Sequence, residues 1–439
     1  MKDAVPKKIK AADVLFIGLA FFATYFGAGN LIFPPMLGLQ SGTKWFSGMI
    51  GMLASGVGLP VLALLILGYA GSVQNITNHV NKKFYTLFIG LMMILCCCVS
   101  IPRTAAVGIE MGLQGVWSKA PYKLFVVIYF VIAFLFAKDR GSALDKVGKI
   151  LTPVMTVILV VLVIKGIADP LGKPAEPSVE SPALSSFLGG YSTGDALVSF
   201  LMTAVFFSSI RQKGYRGKQF QKVNVGAGLI TAACLAVIYG GLYFMGASVS
   251  GTAKADIGNA ALLLLVIRKS GGQIAIYGLC ISVVLACLTT AIGQITAVAD
   301  FFDQETNRRL PYKYVVLVVP IVTIFVASFG LDSIVTYTAP WFGFAYPIAM
   351  VLMLLGIFGK FVPNDGGYKG AVYVTVVYSF FYLLSSYGLK LGIIDKVLNE
   401  IPLYSLGFGW VVPAAVGFVL GLLIYPHTKS GKAGTSIEA

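Results

Sequence analysis

Hydrophobic positions in this chain run in long blocks, and the polar and charged positions gather between them. Blocks of about 20 apolar residues, the length a helix needs to cross the hydrocarbon core of a bilayer, fall near 12–35, 45–70, 85–108, 122–137, 148–168, 192–210, 224–247, 272–299, 314–330, 333–359, 370–391 and 404–425. The pattern predicts an all-α polytopic membrane protein with about 12 transmembrane helices. A membrane β-barrel would show short alternating segments instead. Glycine and proline interrupt many blocks, which membrane helices tolerate because neighbouring helices satisfy the freed backbone groups. The longest connection, 169–191, is rich in proline and serine, and no stretch is long enough for a separate soluble catalytic domain.

Composition agrees with the blocks. Of 439 residues, 57% are hydrophobic and only 12% charged, with a mean hydropathy of +0.85. That excludes a water-soluble fold, a disordered chain and a nucleic-acid binder. The net charge of +15 resembles a polyanion-binding surface only until it is placed along the spans. Even-numbered connections and the two ends carry 22 lysines and arginines, the opposite side 10, and Arg103 alone lies more than a turn inside a span. Positive residues concentrate on the cytoplasmic side of membrane proteins, so both termini are expected there. The basic start, MKDAVPKKIK, has no small-residue cleavage site after it and reads as the approach to a first span.

Few polar residues interrupt the apolar blocks. In the first span Gly27-Ala28-Gly29-Asn30 makes a poor helix interior, since each glycine costs about 1 kcal/mol relative to alanine. A break there frees carbonyls for a cation and amides for a carboxylate; the competing reading is close helix packing through small residues. The sixth span is entered through Gly189-Gly190-Tyr191-Ser192-Thr193-Gly194-Asp195 and holds Ser199 and Thr203. Asp195 is read either as a favourable charge on a helix start or as part of a second break. Spans one and six lie five apart, as two inverted five-helix repeats require.

The eighth span contains Thr289 and Thr290, whose hydroxyls either bond back to their own helix or, with a main-chain carbonyl one turn earlier, offer the hard neutral ligands that suit sodium. Arg103, costly among apolar residues, implies a pathway or a partner. Glu110 lies seven residues on, two turns along the same face, so a gate and a structural ion pair are both open; Arg103 is kept among the candidate substrate-site residues. His79 and His427 are far apart and no phosphate-cradling loop occurs, so no enzyme is expected. All six cysteines sit in apolar runs and read as packing residues.

Three segments together, Phe26-Gly27-Ala28-Gly29-Asn30-Leu31-Ile32-Phe33-Pro34-Pro35, Ile101-Pro102-Arg103-Thr104-Ala105 with Glu110, and Tyr191-Ser192-Thr193-Gly194-Asp195-Ala196-Leu197, resemble the bacterial branched-chain amino acid carriers, the leucine, isoleucine and valine:cation symporters. The likeness runs from the first span to the last. It implies a leucine-transporter-like fold with a five-plus-five inverted repeat and two extra helices, and sodium-coupled uptake of a hydrophobic L-amino acid across the bacterial inner membrane. It also implies a sodium site made by the Ala286 carbonyl and the Thr289 and Thr290 hydroxyls, joined by main-chain carbonyls near Ala23 and Phe26. Substrate would meet Gly27, Ala28, Gly29, Asn30, Ala196 and Ser199.

On this reading residues 1–11 and 427–439 are cytoplasmic ends, 12–168 the first repeat, 169–191 an external loop, 192–359 the second repeat and 360–426 the last two helices. The sequence departs from the family in the sixth span, where Gly194 and Met202-Thr203 stand and no helix-breaking glycine occupies 203. The shape of the side-chain pocket stays open there. Proton coupling through Asp195 or Glu110, with small neutral amino acids as substrates, is the alternative.

Overall fold

The computed structural model describes residues 8–138, 143–253, 257–390 and 392–425. The first seven residues of the amino-terminal end and the tail expected at 427–439 lie outside the described residues. Every regular element is helical among the described residues. Six helices among the described residues are long and apolar enough to cross a membrane, and shorter apolar helices such as Ala11–Tyr25, Tyr122–Ala137, Tyr312–Ala327 and Val411–Ile424 accompany them. Large apolar side chains including Phe16, Leu87, Phe325 and Leu423 point outward, a surface suited to lipid and unsuited to water.

Two spans are interrupted. The first ends a half-helix at Tyr25 and restarts at Ala28, with Phe26 and Gly27 in extended conformations between Ala11–Tyr25 and Ala28–Ser41. The break persists because the Gly27 N–H, which would close the helix on the Ala23 carbonyl, donates instead to Asn30 Oδ1 at 3.0 Å. Further along, Pro34 and Pro35 lie inside the second half-helix and have no N–H for the carbonyls of Asn30 and Leu31. The sixth span breaks at Gly194, whose φ of +84° favours glycine. A helix Pro182–Gly190 and a tight turn Tyr191–Thr193 precede it, and Asp195–Gln212 follows without interruption past Thr203. The break therefore sits at the mouth of this span, and the helix Pro182–Gly190 occupies part of the stretch expected as loop.

The second and third spans stay continuous but carry wide π turns, at Ala54–Gly58 in the second and at Cys96–Ser100 and Gly108–Leu113 in the third. The eighth belongs to Asn259–Glu305, which is kinked at Gly272. Packing brings the first span against the seventh, Gly217–Ser248, and the eighth against the third and fifth. At the first contact a methyl group on Gly38 would stand 1.9 Å from the Tyr243 carbonyl oxygen; only glycine lets the two backbones approach this closely. The breaks of spans one and six, the middle of span three and the middle of span eight meet at the centre.

Candidate substrate site

The two breaks are tied to each other through Asn30 and Asp195. Asn30 stands in the first turn of its half-helix, accepts the Gly27 N–H, and donates from Nδ2 to Asp195 Oδ2 at 2.8 Å. Tyr239 from the seventh span donates to the same oxygen at 2.6 Å. Asp195 is 1% exposed and opens the helix Asp195–Gln212, where the helix dipole favours a negative charge. Both readings of Asp195 hold together: it is a helix-start charge and part of the second break.

Arg103 is 4% exposed and reaches from the third span to the tight turn Tyr191–Thr193 that leads into the sixth. Its Nη1 donates to the Ser192 carbonyl at 2.8 Å and its Nη2 to the Thr193 carbonyl at 3.1 Å. The guanidinium lies 5.5 Å from the Phe33 ring centre and 5.7 Å from that of Phe342, cation–π distances on both sides. Glu110 does not pair with it. Its Oε1 accepts the Leu331 N–H at 2.8 Å, capping the helix Leu331–Phe358. The π turn at Gly108–Leu113 accounts for the difference, because a wide turn shifts the phase that a regular helix would keep across seven residues.

Two adjoining cavities open between these groups. A polar one of about 280 Å³ is lined by Gly27, Gly29, Asn30, Thr193, Asp195 and Thr290 among others. An apolar one of about 500 Å³ is lined by Met92, Leu95, Val99, Leu197, Leu201 and Trp341 among others. Both share Ser100, Arg103, Thr193, Val198 and Gln294, so the two form one amphipathic space.

Three buried polar atoms on the polar wall have no hydrogen-bond partner among the described residues: Arg103 Nε, Thr290 Oγ1 and Gln294 Oε1. A buried group left without a partner costs about 1–3 kcal/mol. Ligand atoms are the natural remedy.

Of the residues predicted from sequence, Gly27, Gly29, Asn30, Arg103 and Thr290 line the polar cavity. Ala28 opens the second half-helix. Ala196 and Ser199 are buried away from the cavity; the Ser199 hydroxyl is engaged by Tyr25 OH at 2.9 Å and the Pro60 carbonyl at 3.0 Å. Polarity marked Ser199 as a candidate, and the same polarity is spent on packing two helices together. The proposed sodium ligands are split. Thr289 donates to the Ala286 carbonyl at 2.9 Å, the back-bonding expected of a helical threonine, whereas Thr290 makes no such bond and faces the Gly27 break, 3.7 Å from where a methyl group on Gly27 would sit. Ala23 lies in the last turn of the first half-helix, and Phe26 lies in the break itself. Sequence reasoning missed Tyr239, Gln294, Ser100 and Phe342. Gln294, an amide inside an apolar span, was the one detectable signal.

The whole-chain comparisons meet this geometry. The family model for branched-chain amino acid transport protein matches residues 10–428. The chain belongs to that family. Branched-chain amino acid permease BraB of Bacillus subtilis (strain 168) is 33% identical over 440 residues, covering 97% of both chains. The branched-chain amino acid transport system 2 carrier protein of Pseudomonas aeruginosa is 31% identical, covering 94% of this chain and 96% of its own. These relatives of the branched-chain family are named as permeases and carriers, not enzymes.

Among solved structures, Mhp1, a nucleobase-cation-symport-1 family transporter in a closed conformation, matches with a TM-score of 0.63 at 11% identity, covering 97% of this chain and 95% of that one. MhsT in complex with L-phenylalanine matches with a TM-score of 0.55 at 15% identity, covering 96% and 99%. The fold of this branched-chain family member is thus that of the leucine-transporter-like carriers.

Proposed function

We propose that this protein is a secondary symporter that imports leucine, isoleucine and valine with sodium across the bacterial inner membrane, both termini cytoplasmic. The observation that carries the reading is the amphipathic space: a polar end at the two helix breaks joined to an apolar end between spans three, six and ten. An α-amino acid has the same two ends. Its charged groups meet the polar wall, and its aliphatic tail gains about 1.5–3 kcal/mol by burial among Leu95, Val99, Leu197 and Leu201. Each methylene is worth about 1 kcal/mol, so discrimination among the three substrates is shallow.

Sodium coupling rests on Thr290, a buried hydroxyl without a partner among the described residues beside the first-span break. Sodium travels here as cargo. The test is uptake of labelled leucine into proteoliposomes with and without an inward sodium gradient. The expected result is sodium-stimulated uptake in the wild type and loss of the stimulation in Thr290→Ala. Equal uptake with and without sodium in both proteins overturns the coupling.

A second reading, proton coupling, is favoured by one feature, the buried Asp195 at the meeting of the two breaks. Uptake driven by a pH gradient in sodium-free buffer, abolished in Asp195→Asn, selects it.

A further inference from the structure

Resting on the reading above, the unsatisfied atoms of the polar wall divide by chemistry. Arg103 Nε is a donor with a positive charge behind it, and Gln294 Oε1 is a neutral acceptor. Thr290 Oγ1 faces the first-span break. The two Nη groups of Arg103 are held by the Ser192 and Thr193 carbonyls, which fixes the direction in which Nε–H points. Gln294 is likewise oriented: its Nε2 donates to Ser100 Oγ at 2.8 Å, turning Oε1 the other way. Both side chains line the polar and the apolar cavity alike, so they stand at the junction where the α-carbon of an amino acid must lie if its tail enters the apolar part.

We propose that Gln294 is a specificity-determining residue for the transported substrate: its Oε1 accepts a hydrogen bond from the α-ammonium group, while Arg103 Nε–H donates to the α-carboxylate. The Asp195 carboxylate, already engaged by Asn30 and Tyr239, supplies the negative field that favours the ammonium without needing to touch it. Thr290 is left for the ion. Ser100 acts as a positioning residue, holding the amide of Gln294 in one orientation. The arrangement reads the class of substrate rather than its side chain. An α-amino acid fits, whereas a 2-hydroxy acid or a 2-keto acid with the same tail lacks the ammonium.

The experiment is a functional-group cycle in proteoliposomes. Inhibition of labelled leucine uptake is measured with unlabelled leucine and with its 2-hydroxy acid analogue, for the wild type, Gln294→Leu and Gln294→Glu. In the wild type the hydroxy acid is expected to inhibit at least tenfold more weakly than leucine, a hydrogen bond to a charged group being at stake. In Gln294→Leu, which removes the acceptor at similar size, that preference is expected to fall at least about fivefold, chiefly through weaker leucine binding, the part owed to the Asp195 field remaining. Gln294→Glu keeps an acceptor oxygen and is expected to retain the preference, which separates lost recognition from a damaged fold. Ser100→Ala is expected to raise the leucine KM with the preference reduced but present.

An unchanged ratio in a Gln294→Leu protein that still transports leucine overturns the assignment and leaves the transport function standing. Collapse of the ratio in Gln294→Leu and in Gln294→Glu alike also overturns it, because the acceptor is then not what counts. A wild type that takes up no α-amino acid overturns both the assignment and the function beneath it.

Discussion

Asn30→Ala removes two bonds at once. The Gly27 N–H loses the side-chain acceptor that holds the helix break open, a capping contact worth about 1 kcal/mol. Asp195 loses a charge-assisted bond of 2.8 Å, worth about 1.5–3 kcal/mol. Together these come to about 2.5–4 kcal/mol, or roughly two to three orders of magnitude in an equilibrium constant. All of it falls on the polar wall, so leucine uptake is expected to drop to near background while the protein still reaches the membrane with a lowered melting temperature. Asn30→Asp keeps an acceptor for Gly27 but sets two carboxylates against each other, and is expected to be at least as damaging.

The double variant Asn30→Asp with Asp195→Asn reverses donor and acceptor across the same pair. The new amide nitrogen then stands where Oδ2 accepted both bonds, and the Tyr239 hydroxyl accepts from it instead of donating. Melting temperature in detergent is expected to rise above that of Asn30→Asp alone, and uptake to recover in part. Wild-type uptake and melting in Asn30→Ala, or a double variant no more stable than Asn30→Asp, refutes the role of this pair.

Gly29→Ala places a methyl group 2.9 Å from Arg103 Nη2 and 3.2 Å from the Thr193 carbonyl oxygen. It is expected to pry the guanidinium from the sixth span and abolish uptake with little change in expression, read by transport beside surface quantification. Gly194→Ala forces a side chain into a left-handed conformation, at about 1–2 kcal/mol, against Phe342 at 3.3 Å; a several-fold loss of uptake rate is expected. Leu201→Phe shortens the apolar cavity. Valine is expected to gain on leucine by about fourfold in competition, the worth of one methylene. Glu110→Gln weakens the cap on Leu331, and is expected to lower the melting temperature slightly while leaving the leucine KM unchanged.

The block pattern made the helical membrane architecture readable, because a span must be apolar over its whole length and nothing else in the chain competes with that signal. The first-span break was readable for a similar reason: Gly27, Gly29 and Asn30 cluster where a helix wants none of them. What lay beyond reach were relations set by backbone phase. Arg103 and Glu110 share a face on a regular helix, and the π turn that contains Glu110 sends each to a different neighbour. In the sixth span the break is fixed by a positive φ at Gly194, a choice that the several glycines nearby leave undetermined. Tyr239 and Phe342 look like any aromatic residue in a membrane helix. Their contact with the site depends on which helices become neighbours, a property of the whole assembly.

The third span, with π turns at Cys96–Ser100 and Gly108–Leu113 on either side of Arg103, also bears on how genes of this family are to be compared. A π turn holds one residue more than the α-helical turn it replaces. A homologue that lost a residue from either turn closes it to an ordinary α-helical turn and keeps the helix on both sides, arginine included, in place. A one-residue gap at 96–100 or 108–113 in an alignment therefore belongs to the turn, and the arginine on the far side of it is to be aligned with Arg103.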